Sequence, residues 1–475
     1  MKKLLAGFKK YFGDFGTAVA KGDVWTRLSL LVLGSGYFGR GQIIKGILMT
    51  VIEIGVIVFT AVFSIPYIAK LNTLGTVQRE EYFDILTMTK TVNDYDNSLL
   101  ILLYGLIGII VIVAFILLYI GNMKAVYKLQ RLKEEGKHIN SFKEDCVEML
   151  NGKFHITLLT LPSLGVIIIN VIPIIFMICI AFTNYDSSHQ PPTYLFTWVG
   201  FENFKSLFTN STTITFGYAF VRILAWTLIW ALIATFTTFI GGVFLAKFIN
   251  NDETKLKKFW RTCFVVTIAI PQFVTLLLVS KMFGDNGIVN TVCSNIGITD
   301  FLKNIGLVSS NLTYIPFLSK PGWAHVMIIL INIWVGVPYQ MLSATGILMN
   351  IPTDQIESAR IDGASKMQIF WKITMPYVMF ICGPSLITSV ISNINNFNVI
   401  YLLTESAYTT TNMAFANSNA KEVDLLITWL FRLTNDYSNF KMASVIGIIT
   451  FAICALITLL TYSRTIKGDR EEVYQ

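Results

Sequence analysis

The sequence predicts an all-α integral membrane protein with eight transmembrane helices. Of its 475 residues, 54% are hydrophobic and only 14% are charged, and the mean hydropathy is +0.61. A water-soluble chain of this length cannot bury so much apolar surface. The second observation is a series of apolar runs of membrane length, and the third is the uneven distribution of lysine and arginine in the loops between them.

The first 41 residues are predicted to form a cytoplasmic amphipathic or interfacial segment. Residues 1–22 are basic and carry apolar side chains at helical spacing, but no cleavable apolar core follows them, so we expect no signal peptide. Residues 24–40 are short and interrupted by glycine, and an interfacial helix or hairpin is expected there.

Eight apolar runs then reach the length of about 20 residues that a membrane span requires. They lie near residues 42–66, 98–120, 156–183, 217–248, 259–283, 324–349, 377–402 and 441–463.

The loops between these runs predict their orientation. Residues 121–154 contain many lysines and arginines, whereas residues 184–216 contain Lys205 alone. By the positive-inside rule the first loop is cytoplasmic and the second is external. Further basic clusters, at residues 255–261 and at Arg464, Lys467 and Arg470, predict that both termini are cytoplasmic.

A polar island at residues 350–376 interrupts the apolar pattern with a helix, a turn and a second helix. Thr353 is a candidate cap for the first helix, and Gly363 suits a left-handed turn at its end. Ser365 and Gln368 have the spacing of a capping box, and Pro376 suits the start of the next span. From spacing alone, an ordinary capped cytoplasmic loop and a partner-docking helix are equally good interpretations.

This island resembles the EAA loop of ATP-binding-cassette importer permeases. The matching residues are Glu357, Ala359, Asp362, Gly363, Ala364, Phe370, Ile373 and Pro376. Ser358 departs from the pattern, because the family usually has alanine there. The resemblance implies a type I importer permease fold in which residues 350–376, hereafter the coupling loop, dock on an ATPase subunit. It assigns ATPase coupling to Glu357, Ser358, Ala359, Asp362, Gly363 and Ala364.

Other segments between about 155 and 470 are similar to permeases of the maltose/maltodextrin type. Examples are F-T-N-Y-D from Phe182, I-P-Q-F from Ile270 and N-I-N-N-F-N-V-I-Y from Asn393. The additional N-terminal spans fit the larger of the two permease subunits in that family. The predicted domains are a cytoplasmic segment 1–41, two accessory spans and a basic loop 42–154, a six-helix permease core 155–463, and a cytoplasmic tail 464–475.

Polar residues in the seventh run are candidate sugar ligands. Ser389, Ser392, Asn393 and Asn396 are spaced by three and four residues, so the sequence predicts that they share one helical face. Polar groups inside a membrane commonly mark a transport pathway or a helix contact, and from spacing alone both interpretations stay open. The family resemblance implies substrate binding by these four residues and by Gly336 and Tyr339 in the sixth run, near Trp334.

The resemblance also implies the partners. No G-x-x-x-x-G-K-[ST] motif occurs, so we expect no ATP site in this chain, no enzymatic activity of its own and no cofactor. ATP and Mg²⁺ would be bound by two separate ATPase subunits, beside a second permease subunit of the maltose type and the membrane lipid. Because the external stretch 184–216 is short, an extracellular sugar-binding protein would have to dock on short loops. We therefore expect this binding protein to be lipid-anchored. The histidines and cysteines show no metal-ligand spacing, and no nucleic acid is expected.

Two alternatives are weighed against this interpretation. An ion-coupled secondary sugar transporter would carry ionisable residues near the membrane midplane, and the sixth and seventh runs lack them, although Glu53 and Arg222 occur in other runs. The same importer could instead carry another oligosaccharide or glycerol phosphate. A phosphate would require a lysine or arginine facing the pathway, and the sequence offers none there.

Overall fold

The computed structural model describes residues 15–84, 89–209, 216–251 and 253–466, with the backbone alone at Asp84 and at 462–466. The predicted surface helix before residue 15 and the predicted inner charges of Arg464, Lys467 and Arg470 lie outside the described side chains. The chain divides after Gly200 into two compact units. Within the described ranges both units are built mainly from helices.

The first unit contains nine described helices and one β-hairpin. The helices are residues 15–21 (α1), Val24–Leu28 (α2), Ser35–Phe38 (α3), Ile43–Phe59 (α4), Ile65–Lys70 (α5), Ser98–Glu134 (α6), Phe142–Leu150 (α7), Phe154–Val166 (α8) and Ile172–Ile180 (α9). The strands Glu81–Asp84 (β1) and Thr89–Val92 (β2) pair antiparallel, with Glu81 opposite Val92.

The short helices α2 and α3 form a hairpin before the first span, at the place where the sequence predicted an interfacial helix or hairpin. Asp23 caps α2 by accepting a hydrogen bond from the Thr26 amide (2.8 Å), and Arg40 donates to Asp23 (3.0 Å). Glu53, inside the first span, accepts a hydrogen bond from the Leu33 amide (2.8 Å). A buried carboxylate is tolerated only with such partners, so Glu53 holds the hairpin against the span.

The second unit begins at Phe201 and contains the remaining helices. They are Glu202–Phe208 (α10), Phe216–Asn250 (α11), Lys257–Ala269 (α12), Gln272–Met282 (α13), Ile288–Asn295 (α14), Ile298–Asn304 (α15), Pro321–Leu348 (α16), Thr353–Ile361 (α17), Lys366–Ile369 (α18), Met375–Ile394 (α19), Phe397–Thr404 (α20), Met413–Asn417 (α21), Leu426–Asn435 (α22) and Phe440–Ile466 (α23).

The predicted all-α membrane fold is confirmed. Seven described helices or helix series are long and apolar enough to cross a membrane, and each corresponds to a predicted span. The predicted fifth span differs: it is the pair α12 and α13, which meet at an angle of 90°. Pro271 lies at the break, and Ile270 before it is extended (φ −83°, ψ 126°). Proline disfavours the helical conformation of the preceding residue, which ends α12.

Three spans contain a short π-helical segment just before a proline. The segments are Thr60–Ser64, Ile167–Val171 and Phe370–Thr374. Each is followed by an α-helix whose second residue is proline, at Pro66, Pro173 and Pro376. Proline has no amide proton, and its ring displaces the carbonyl one turn earlier. The widened π turn accommodates this displacement without ending the span.

The core of the second unit forms around α11. One buried cluster joins Trp230 and Ala234 of α11 to α13, α16 and α20. A second joins Phe239 and Val243 to Phe370 and the start of α19. Gly242 lets α16 approach closely, because a Cβ at this position would lie 2.4 Å from Gln340 Cβ. The helix α11 therefore contacts both the helices of the candidate substrate site and the C-terminal part of the coupling loop.

The boundary predicted at residue 155 differs from the division after Gly200. The third predicted span, α8 and α9, belongs to the first compact unit, where α9 packs on α6. The limits of the functional permease core remain a prediction.

Candidate functional site

The coupling loop has the predicted helix–turn–helix form. Its first helix, α17, ends before Gly363, whose φ of +80° lies in the left-handed region. Ser365 then caps α18 in a capping box with Gln368, as the sequence predicts. The start of α17 differs from the prediction, because Thr353 is the first helical residue and Pro352 occupies the cap position. Proline before the helix fixes the backbone entry without a side-chain cap.

The residues predicted to couple to an ATPase form an exposed surface. Glu357, Ser358, Asp362 and Gly363 are exposed, whereas Ala359 and Ala364 are half-buried. Ile361 is 86% exposed. Single exposed apolar side chains are common on protein surfaces, and the docking role of these residues remains a prediction.

Two of the predicted sugar ligands, Asn393 and Asn396, form hydrogen bonds with other residues of the chain. Asn393 Nδ2 donates a hydrogen bond to Thr235 Oγ1 of α11 (2.9 Å), and the Trp230 indole donates to the Asn393 carbonyl (3.1 Å). Asn396 Nδ2 donates to Asn393 Oδ1 (3.3 Å). These bonds satisfy the amides without a ligand, so the interhelical interpretation stays open beside the sugar-binding one.

The helix that carries these residues is broken, which the sequence analysis did not predict. The helix α19 ends at Ile394, and Asn396 caps α20 by accepting a hydrogen bond from the Val399 amide (3.3 Å). Ser389, Ser392 and Asn393 therefore lie on one regular helix, while Asn396 lies just beyond its end. Asparagine competes for backbone hydrogen bonds and favours caps, and Asn395 and Asn396 together stop the helix. Within the described ranges, the Ser389 and Ser392 hydroxyls make no hydrogen bond.

Gly336 and Tyr339, three residues apart on α16, have different neighbours. Gly336 faces α11, where a Cβ would lie 2.7 Å from Thr238 Cγ2. Glycine therefore permits close packing of the two helices at this point. Tyr339, by contrast, is 45% exposed and faces a cavity together with Trp334. Of the two residues, Tyr339 lines the cavity and Gly336 contacts α11, and their assignment to one substrate site remains a prediction.

The cavity has a volume of about 350 Å³ and lies between the bent pair α12–α13 and α16. This is at the small end of the range for ligand pockets. Its side chains combine aromatic rings with uncharged polar groups, among them Phe264, Thr267, Gln272, Thr275, Trp334 and Tyr339. Rings that stack on apolar sugar faces and hydroxyl or amide groups that bind sugar hydroxyls are suitable for a carbohydrate.

Gln272, Thr275 and Thr235 were not predicted from the sequence to belong to the site. The first two follow the bend at Pro271, and Pro271 in the middle of an apolar run was the signal that could have revealed the bend. Thr235 gave no local signal, because its role depends on Asn393, which is 158 residues away in sequence.

A buried ion network follows α20 at Glu405-Ser406-Ala407. Arg432 donates to both Glu405 carboxylate oxygens (3.3 and 3.0 Å) and to Asp424 (3.4 Å). Lys421 donates to Glu405 as well (3.0 Å). Burial by itself would raise the pKa of Glu405, but the hydrogen bonds and charges of Arg432 and Lys421 lower it overall. Glu405 therefore stabilises this segment.

The network is connected to α11. The Leu426 amide donates to Thr227 Oγ1 (3.1 Å), and the Trp226 indole donates to the Val423 carbonyl (3.2 Å). The helix α11 thus contacts the segment of the ion network near its N-terminal end, Asn393 in its middle and Phe370 of the coupling loop at its C-terminal end.

Comparisons with known proteins show the family of this chain. The family model described as "Binding-protein-dependent transport system inner membrane component" matches residues 238–464. The maltodextrin transport system permease protein MdxF of Bacillus subtilis is 32% identical over 447 residues, which cover 93% of this chain and 96% of that protein. The galactooligosaccharides transport system permease protein GanP of the same organism is 32% identical over 93% of this chain and 97% of that protein.

A third relative aligns over a shorter stretch. The maltose/maltodextrin transport system permease protein MalF of Escherichia coli is 27% identical over 286 residues, which cover 59% of this chain and 52% of that protein.

Proposed function

The chain belongs to the inner-membrane permease components of binding-protein-dependent transport systems, and from this premise we propose that it carries malto-oligosaccharides across a membrane. Energy would come from ATP that separate subunits bind and hydrolyse. The observation that carries the proposal is the similarity to a maltodextrin permease over almost the full length of both chains.

The chemistry of the candidate site supports an uncharged sugar. Trp334 and Tyr339 offer aromatic faces, and Gln272 and Thr275 offer donors and acceptors in the same cavity. The helices α16 and α19 contain no lysine, arginine, aspartate or glutamate. A phosphate or carboxylate substrate would require a compensating positive charge, so the site favours a neutral carbohydrate.

The asparagine site on α19 is the second part of the proposed pathway. We assign substrate contact to Ser389, Ser392, Asn393 and Asn396, together with Gly336 and Tyr339. The Ser389 and Ser392 hydroxyls could bind a sugar without losing an existing hydrogen bond. Asn393 would have to exchange its bond to Thr235, and such an exchange would couple sugar binding to the contact between α19 and α11.

The coupling loop is the proposed contact with the ATPase. Its helix α17 is exposed and is held in place by the Gly363 turn and the Ser365 capping box. One chain supplies one such loop, so the assembly would contain a second permease subunit and two ATPase subunits that hold ATP and Mg²⁺. The positive-inside rule places this loop and both termini in the cytoplasm.

The proposed mechanism is alternating access. A lipid-anchored sugar-binding protein delivers its sugar at the external face, and the ATPase subunits close on ATP. Their closure moves Glu357–Ala364, the spans rock, and the sugar enters the proposed pathway formed by the cavity beside α16 and the polar residues of α19. Hydrolysis then resets the assembly.

A galacto-oligosaccharide is the second candidate substrate. GanP is as similar to this chain as MdxF, at 32% identity over 93% of its length. Both sugar classes present hydroxyl groups and apolar ring faces, and the residues that line the cavity suit either one.

Uptake into proteoliposomes tests the proposal. The vesicles would hold this chain, its partner permease, the ATPase and the binding protein, and would receive labelled maltotriose, maltose, galactotetraose, raffinose or glycerol phosphate. We expect maltotriose and maltose uptake that requires ATP. ATP-dependent uptake of galactotetraose alone would support the ATP-driven importer but show that its substrate is a galacto-oligosaccharide. Uptake driven by an ion gradient without ATP would refute the importer mechanism.

A further inference from the structure

We propose that Lys247 is a positioning residue, which joins the coupling loop to α11 by holding its ammonium group over the ring of Phe370. The inference rests on the proposed function, because it concerns how movement of the coupling loop reaches the substrate site. Lys247 lies in the last turn of α11, and Phe370 is the first residue of the π segment near the C-terminal end of the coupling loop.

The geometry of the contact is that of a cation–π interaction. Lys247 Nζ lies 3.9 Å from the centroid of the Phe370 ring, well within the range in which such contacts are favourable. Phe370 is fully buried and packs on Phe244, with ring centroids 5.2 Å apart. The ring is therefore fixed, and the ammonium group is held at one position above it.

Lys247 has no competing ion pair in the part of the chain that the structure describes, since no carboxylate there lies within salt-bridge distance of its ammonium group. The other charged contact between these segments joins Lys366 to Glu253 (2.6 Å), but both side chains are more than 70% exposed. Exposed ion pairs contribute little, because water screens them. The contact between Lys247 and the buried Phe370 ring therefore joins these segments more strongly than the exposed ion pair of Lys366 and Glu253.

The same helix carries the contacts of the substrate site. Thr235 of α11 binds Asn393 (2.9 Å), and Thr238 packs on Gly336. From Thr235 to Lys247 the helix rises by about 18 Å, and α11 is continuous over residues 216–250. A displacement of Phe370 would therefore be transmitted along one rigid element from the coupling loop to Asn393.

The test uses the complete transporter in proteoliposomes with the variants Lys247→Met and Lys247→Arg. Methionine keeps the apolar stem but removes the charge, whereas arginine restores a cation that also stacks on aromatic faces. Lys255→Met is the matched control, because Lys255 is an exposed lysine beyond the end of α11. Two quantities are measured: ATP hydrolysis stimulated by the loaded binding protein, and sugar molecules imported per ATP hydrolysed.

For Lys247→Met we expect ATP hydrolysis close to the wild-type rate and about three- to tenfold less sugar imported per ATP, as suits the loss of a cation–π contact of ordinary strength. Lys247→Arg should restore the ratio, and Lys255→Met should leave it unchanged. An unchanged ratio in Lys247→Met, or no recovery with arginine, would overturn the inference. A parallel loss of hydrolysis and uptake would also overturn it, because that pattern indicates a merely structural role. If the wild-type assembly shows no ATP-dependent uptake, the proposed function itself fails.

Discussion

The turn at Gly363 offers a sharp test of the coupling loop, because the structure separates backbone strain from steric effects there. Gly363 has a φ of +80°, and a Cβ added to it would meet no atom within 4 Å. Gly363→Ala therefore causes no steric clash. It adds only the conformational cost of a left-handed L-residue, about 1–2 kcal/mol. Gly363→Pro is more severe, because proline cannot reach a positive φ and loses the amide that donates to the Arg360 carbonyl (3.1 Å).

A cost of this size reduces the population of the native turn relative to its alternatives by about 5- to 30-fold. We expect Gly363→Ala to lower the sugar imported per ATP hydrolysed several-fold, and Gly363→Pro to abolish import while the protein still inserts and assembles with its partner permease. The assay is uptake and ATP hydrolysis in the same proteoliposomes, with insertion checked by the yield of purified complex.

The matched control is Gly346→Ala. Gly346 lies inside α16, and a Cβ there also meets no atom within 4 Å, but its backbone is helical. Alanine is favourable in a helix, so uptake should remain normal. If Gly363→Pro transports sugar with the wild-type ratio to ATP, the coupling loop does not act through this turn and the reasoning is wrong.

Three further predictions concern the polar contacts. Asn393→Leu should reduce sugar uptake severalfold while ATPase assembly is retained, because it removes the hydrogen bond to Thr235; uptake and complex yield are measured. Arg432→Met should lower the free energy of unfolding by about 3–5 kcal/mol, because it leaves a buried acidic group unpaired; thermal unfolding in detergent is measured. Because folding lowers the pKa of Glu405, its ionised carboxylate stabilises the fold at pH values above the ordinary pKa of 4.5. This contribution to the free energy of unfolding should disappear as the pH falls through the lowered pKa; unfolding is followed from pH 7 to pH 3.

Each of these has its own control. Asn395→Leu changes an exposed neighbour of Asn393, and equal losses of uptake in both variants would argue against a specific role. For Arg432, a melting temperature within a degree of wild type would contradict the burial argument. Glu405→Gln should remove the part of the pH dependence due to this group, and an identical pH profile in that variant would show that the acid sensitivity arises elsewhere.

Local features of the fold were predictable from sequence because neighbouring residues determine them. The spans follow from apolar runs of membrane length, and the Gly363 turn and the Ser365–Gln368 capping box follow from residue types a few positions apart. The family resemblance also allowed the class of protein to be predicted. The bend at Pro271 and the end of α19 at Asn395 were missed because a proline or an asparagine inside an apolar run is compatible with either a continuous or a broken helix.

By itself, therefore, the sequence determined the membrane fold, its spans and the form of the coupling loop. Only the tertiary structure decided which polar groups meet. Asn393 binds Thr235, Phe370 lies under Lys247, and Arg432 pairs with Glu405. The partners in two of these pairs are more than a hundred residues apart, and no local pattern encodes their distance. The partners in these two distant pairs meet because α11 is long enough to reach from the ion network to the coupling loop. Its apolar face is buried against the helices that carry the partner residues.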